Sequence, residues 1–102
     1  EGLTKALAVE WGRRGVRVVA IAPGYVDTEL VRNLQRAGKF SLEQIVGRVS
    51  VGRIGTVEDV GEAIALLCSP ELRYMNGSTL VLDGGYIAHG SFESLGPLPE
   101  ST

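Results

Sequence analysis

Val16-Arg-Val-Val-Ala-Ile-Ala-Pro-Gly-Tyr-Val-Asp-Thr28 is the stretch that decides the fold. Val18, Val19 and Ile21 are β-branched and no charge interrupts residues 18–22. The run over residues 16–22 therefore reads as a strand buried on both faces, as in parallel sheets covered by helices. Pro23 lacks a backbone N–H and cannot extend the ladder. Gly24 lets the backbone turn, or approach a ligand, with no Cβ in the way. Ligands in open α/β sheets bind beyond the carboxyl ends of the strands, so the loop 24–28 is the first place to look for chemistry.

Outward from that stretch the chain alternates helix and strand. Upstream, Leu3, Ala6, Leu7 and Trp11 recur at helical spacing over residues 1–14, with Arg13 and Arg14 in the last turn and Gly15 suited to a left-handed C-terminal position. Downstream, residues 29–51 read as two short helices on a mobile flap, broken at Gly38; Ser41-Leu-Glu-Gln44 has the form of a capping box. Thr56-Val-Glu-Asp59 starts a long helix with Val57, Val60, Ala63, Ile64 and Leu67 on one face, stopped by Ser69-Pro70. Asn76-Gly77 is a turn, and Thr79-Leu-Val-Leu82 is a second buried strand, ended by Asp83-Gly84-Gly85. A right-handed crossover makes the two strands parallel and places them in one sheet. Residues 88–102 show no periodicity and read as an extended or disordered tail.

Composition narrows the class without identifying a ligand. The chain has 102 residues, 44% hydrophobic and 22% charged, with a net charge of −2, ordinary for one small globular domain. That balance gives no support to a nucleic-acid or membrane-surface partner. The single cysteine, Cys68, excludes an internal disulfide and a multi-cysteine zinc site, and no run suggests a signal peptide or a membrane span. A cytoplasmic location is the expectation. Glu1 opens what reads as the middle of a helix, with no capping residue ahead of it, so the chain is expected to be a fragment.

Four segments, in order, resemble the C-terminal portion of a short-chain dehydrogenase/reductase. Gly2-Leu-Thr-Lys-Ala-Leu-Ala-Val-Glu10 is similar to the helix after that family's catalytic Tyr-x-x-x-Lys. Val16-Arg-Val-Val-Ala-Ile-Ala-Pro-Gly24 is similar to its sixth strand and Pro-Gly turn. Gly52-Arg-Ile-Gly55 with Glu58-Asp-Val60 resembles the entry to its last long helix, and Asn76-Gly-Ser-Thr-Leu-Val-Leu-Asp-Gly-Gly85 its seventh strand. The resemblance implies an α/β fold: the C-terminal part of a Rossmann-type doubly wound parallel sheet with two strands, two long helices and a helical flap. Residues 1–87 would belong to that one NAD(P)-binding domain.

The resemblance also implies a function for the complete protein: hydride transfer between NAD or NADP and a carbonyl or alcohol substrate, in a homo-oligomer paired through the helix over residues 1–14, with the flap closing over substrate. It places Pro23, Gly24, Val26 and Thr28 beside the cofactor. There the Val26 main chain can pair with the nicotinamide carboxamide and the Thr28 hydroxyl can donate to an amide or phosphate oxygen. Thr28 is equally suited to capping a helix that starts at Glu29. No residue is assigned as general acid or base, because Tyr25, Tyr74 and Tyr86 are followed four residues later by Glu29, Ser78 and Gly90 rather than Lys. The chain alone is therefore expected to be inactive and a poor cofactor binder. The rival reading is a non-catalytic truncated chain or interaction piece, or one half of a split enzyme. Arg53 reads as a carbonyl cap or surface ion-pair partner, Cys68 as an inert core residue, His89 as solvent-facing, and Trp11 as core or interface packing.

Overall fold

A computed structural model gives the order α1 (Gly2–Gly12), β1 (Ala20–Pro23), α2 (Glu29–Arg36), α3 (Leu42–Val46), α4 (Val57–Leu67), a short 3-10 helix (Pro70–Leu72), β2 (Thr79–Leu82) and α5 (Tyr86–His89). It describes residues 1–39, 41–91 and 93–100. The parts of the flap and tail expectations that fall on Phe40, Phe92, Ser101 and Thr102 lie outside them. The strands β1 and β2 are neighbours in one parallel two-stranded sheet, and the fold is α/β as expected. The chain divides into two compact units, Glu1–Ala22 with Glu58–Leu82, and Pro23–Val57 with the segment from Asp83 onward.

In the first unit the end of α1 follows from its glycines. Gly15 stands at φ 82°, its N–H donates to the Gly12 carbonyl at 3.0 Å and that of Val16 to the Trp11 carbonyl at 3.3 Å. This paired closure satisfies carbonyls that the helix end leaves orphaned. Arg13 and Arg14 follow the helix, which stops at Gly12. The buried face of α1 differs from the sequence reading: Ala8 is its buried residue, while Leu3 is 72% and Trp11 36% exposed. The reason is a close approach at a small side chain, with the Ala8 Cβ 3.4 Å from where a Cβ on Gly77 would lie.

The first strand is shorter than expected and is half-buried at Ala20 and Ile21, exposed at Ala22 and Pro23. Residues 16–19 run beside a turn rather than a strand. The Val18 carbonyl accepts from Gly77 N–H at 2.8 Å, and the Val18 N–H donates to Asn76 Oδ1 at 2.9 Å. A side-chain amide thus stands in for a ladder carbonyl. Asn76 Nδ2 also donates to the Ala8 carbonyl at 3.1 Å, so one residue ties α1, the run into β1 and the turn before β2. Arg17 adds Nη1 to the Met75 carbonyl at 3.2 Å and Nη2 to the Leu67 carbonyl at 2.8 Å, securing the end of α4.

Asn76→Ala strands the Ala8 carbonyl and the Val18 amide together. It is expected to cost about 1–3 kcal/mol of stability, read as a lower denaturation midpoint. An unchanged midpoint would show that water replaces both bonds. On α4, Leu67 is buried, whereas Ile64 is 46% exposed. Cys68 is exposed rather than a core residue; its N–H still donates to the Ile64 carbonyl at 3.1 Å, so it continues the helical turn on the face of Ile64, which is itself exposed. No helix among the described residues is long and apolar enough to cross a membrane.

Candidate functional site

The second unit contains the whole loop from Pro23 to Thr28 together with the turn that follows β2. The loop is bound in place at one point. Val26 forms an isolated parallel bridge with Gly55, in which Asp27 N–H donates to the Gly55 carbonyl and Gly55 N–H to the Tyr25 carbonyl, both at 2.8 Å. In such a bridge the flanking residues make the bonds, so the N–H and C=O of Val26 itself face the opposite edge. The peptide groups that the resemblance assigns to a carboxamide are thus turned away from Gly55.

Thr28 is the N-cap of α2, with φ −116° and ψ 166°, and its Oγ1 accepts from Val31 N–H at 3.3 Å. A hydroxyl that accepts in this way keeps its own proton to donate, so the cap leaves the second role open. Asp27 pairs with Arg32 through Nε to Oδ1 at 2.8 Å and Nη2 to Oδ2 at 3.0 Å. That charged hydrogen bond holds the Asp27 carboxyl below its ordinary value. A depressed carboxyl contributes stability above its unfolded pKa and loses it as pH falls through the folded one. The pair is exposed, so the contribution is small.

Gly24 is required by packing. A Cβ there would lie 2.8 Å from the Asp83 Cβ and 3.0 Å from its Cα, so the backbone of the Pro23-Gly24 turn touches Asp83 directly. Asp83 is itself fixed, its Oδ1 accepting from Gly85 N–H at 2.9 Å and its Oδ2 from Ile87 N–H at 3.1 Å. The following glycines have positive φ, 62° at Gly84 and 92° at Gly85. The Gly84 carbonyl accepts from Ser50 Oγ at 2.9 Å and from Val51 N–H at 3.1 Å. The rings of Tyr25 and Tyr86 meet edge to face with centroids 5.6 Å apart, and the Arg48 guanidinium lies 4.8 Å from the Tyr86 ring centre, geometries that suit the ring quadrupole.

Of the four residues singled out from the sequence, Gly24 and Thr28 thus have local structural tasks of their own, and Val26 is held by its neighbours. Pro23 is the exposed last residue of β1. Sequence reasoning missed the supports: Gly55, the Asp83-Gly84-Gly85 turn and Ser50. The three-residue turn was visible as a strand end, but its contacts with residues 49–51 join positions more than thirty apart. Arg53 Nη1 donates to the Ile54 carbonyl at 3.1 Å, the carbonyl-capping role expected of it. His89 is half-buried, with Nε2 2.6 Å from the Glu93 carbonyl.

A sequence family described as enoyl-(acyl carrier protein) reductase matches residues 1–87. The chain is 45% identical over 86 residues to the uncharacterized short-chain type dehydrogenase/reductase y4vI of Sinorhizobium fredii, covering 84% of this chain and 16% of that protein. It is 38% identical over 85 residues to the 3-oxoacyl-[acyl-carrier-protein] reductase FabG of Pseudomonas aeruginosa, covering 83% and 33%. A crystal structure of a putative 2-deoxy-d-gluconate 3-dehydrogenase from Agrobacterium tumefaciens with bound NADP superposes with a TM-score of 0.77 at 41% identity, covering 85% of this chain and 35% of that one. The chain belongs to the short-chain dehydrogenase/reductase family. It spans about a third or less of the length of these relatives.

Proposed function

We propose that this chain is part of an NAD(P)-dependent oxidoreductase acting on a small carbonyl or alcohol substrate, to which it contributes the nicotinamide-side loop and the substrate flap. The observation that carries the reading is the outward-facing peptide edge of Val26, two residues before a hydroxyl, Thr28 Oγ1, whose proton is not used by its cap. Similarity to a protein with bound NADP supports the cofactor class. The bound dinucleotide would supply the hydride acceptor or donor. This chain's residues would do the holding: Val26 N–H and C=O on the carboxamide, Thr28 on an amide or phosphate oxygen, and Pro23 and Gly24 as the floor. Proton exchange falls to no residue among these 102, since no Tyr here has Lys four positions on.

The complete enzyme is a cytoplasmic homo-oligomer in this reading. Exposure of Leu3 (72%) and Val9 (82%) on α1 supports a face that a further layer covers. The deciding experiment compares the purified 102-residue chain with the complete enzyme on a panel of alcohols and ketones with NADH and NADPH. The chain is expected to be inert and the complete enzyme to turn over. Turnover by the chain alone would overturn the division of labour. Inertness of the complete enzyme would favour the non-catalytic reading.

A further inference from the structure

The direction in which Val26 offers its N–H is set by the residue before it. A peptide group is planar and trans, so the Tyr25 carbonyl and the Val26 N–H point opposite ways from one plane. That carbonyl accepts from Gly55 N–H at 2.8 Å, and the next peptide is held by Asp27 N–H on the Gly55 carbonyl, also at 2.8 Å. Both bonds run to the one residue Gly55, so they act as a hinge line about which residues 25–27 can still roll. A side-chain restraint off that line is what fixes the roll.

Tyr25 supplies that restraint. Its side chain is 41% exposed, and its ring meets the Tyr86 ring at a centroid distance of 5.6 Å with the planes 70° apart, an arrangement the ring quadrupole favours. Tyr86 is a fixed partner. Its N–H donates to the Asp83 carbonyl at 3.2 Å, and the Asp83 carboxylate accepts from the N–H groups of Gly85 and Ile87 on either side of it. Asp83 is also the residue that the Gly24 backbone touches. The contacts close a circuit: Gly24 on Asp83, Asp83 to Tyr86, the Tyr86 ring against Tyr25, and Tyr25 joined to Gly24 through the chain. The Arg48 guanidinium, 4.8 Å from the Tyr86 ring centre, adds an attraction that needs an aromatic face. Arg48 N–H donates to the carbonyl of Ile45 at 2.9 Å, and Ile45 is the buried residue of α3, so the cation is anchored as well.

We propose that Tyr86 is a positioning residue for the nicotinamide: acting through the Tyr25 ring, it holds the Tyr25–Val26 peptide so that the Val26 N–H is aimed at the carboxamide. The proposal rests on the oxidoreductase reading and adds to it a residue outside the loop 23–28. A loop that spends only part of its time in the competent orientation binds with a dissociation constant raised by the inverse of that fraction. Only the nicotinamide end of the dinucleotide registers the loss, because the adenosine end makes no use of the Val26 N–H.

The test uses the complete enzyme and two ligands: whichever of NADH and NADPH binds more tightly, and the matching fragment without nicotinamide, ADP-ribose or its 2′-phosphate. Tyr86→Leu keeps apolar bulk and removes the ring. The expected result is a dissociation constant for the intact dinucleotide raised about twofold to tenfold, the scale of one aromatic pair, with that for the fragment unchanged. Tyr86→Phe, which keeps the ring, should rescue the affinity. Tyr25→Leu removes the pair from its exposed side and should give the same selective loss, which keeps the test decisive if Tyr86→Leu fails to fold. Unchanged dinucleotide affinity in these leucine variants, or an equal loss for dinucleotide and fragment, overturns the proposal even where the melting temperature falls, and leaves the ring pair as packing alone. A wild-type enzyme that binds neither NADH nor NADPH overturns the oxidoreductase reading itself, and the proposal with it.

Discussion

Gly85→Ala is expected to lower the stability of the complete protein by about 2–5 kcal/mol, a large part of the roughly 5–15 kcal/mol that a folded domain has. Two effects add at this position. Gly85 stands at φ 92°, where a Cβ costs about 1–2 kcal/mol, and that Cβ would run into Ser50 Oγ, whose own bond to the Gly84 carbonyl fixes it. Relief by shifting Ser50 would forfeit that bond, so overpacking of about 1–3 kcal/mol is the alternative. Gly90→Ala is the internal control, since Gly90 has φ 65° and open space where its Cβ would go. It should show the backbone penalty alone. Equal losses for Gly85→Ala and Gly90→Ala in chemical denaturation would mean that Ser50 yields without cost and that the turn is not clamped.

That comparison also marks where sequence reading stopped. Thr28 and Ser41 were legible as helix starts because a cap acts within three residues, Thr28 on Val31 and Ser41 on Gln44. Gly15 and Gly77 were legible as turns because their positive φ, 82° and 77°, is a local need that glycine meets. The Pro-Gly turn was legible as the end of β1. Its reason was not, because Gly24 answers to Asp83, nearly sixty residues away. Helix faces failed in the same way. Periodicity over residues 1–14 gives a stripe through Leu3, Leu7 and Trp11, but the turn at Asn76-Gly77 fits against Ala8, and a close approach selects the small side chain over the large ones. Strand length failed because Asn76 lends a side-chain carbonyl to Val18 where a ladder was expected.

Thr28→Val in the complete enzyme is expected to raise the cofactor dissociation constant by about twofold to a hundredfold. Valine keeps the shape and removes the donor, so the loss is one hydrogen bond, about 0.5–1.5 kcal/mol for a neutral acceptor and up to roughly 3 for a charged phosphate oxygen. The same substitution removes the cap to Val31 N–H, which costs about 0.5–2 kcal/mol of folding stability with or without cofactor. The two losses separate by experiment. Cofactor titration reads the first, and the melting temperature of the cofactor-free enzyme reads the second. Thr28→Ser, which retains both lone pairs and proton, should restore both. The geometry makes the dual role physically coherent: the 3.3 Å bond from Val31 uses a lone pair of Oγ1 and leaves its proton, while the bonds of Asp27 to Gly55 and Arg32 fix the preceding residue. Thr28 is therefore held by α2 on one side and by the Val26–Gly55 bridge on the other, with its hydroxyl proton left unused by the cap. If Thr28→Val lowers the melting temperature while cofactor affinity stays unchanged, the residue is a helix cap alone. The assignment of the loop to the cofactor then rests on the Val26 peptide edge.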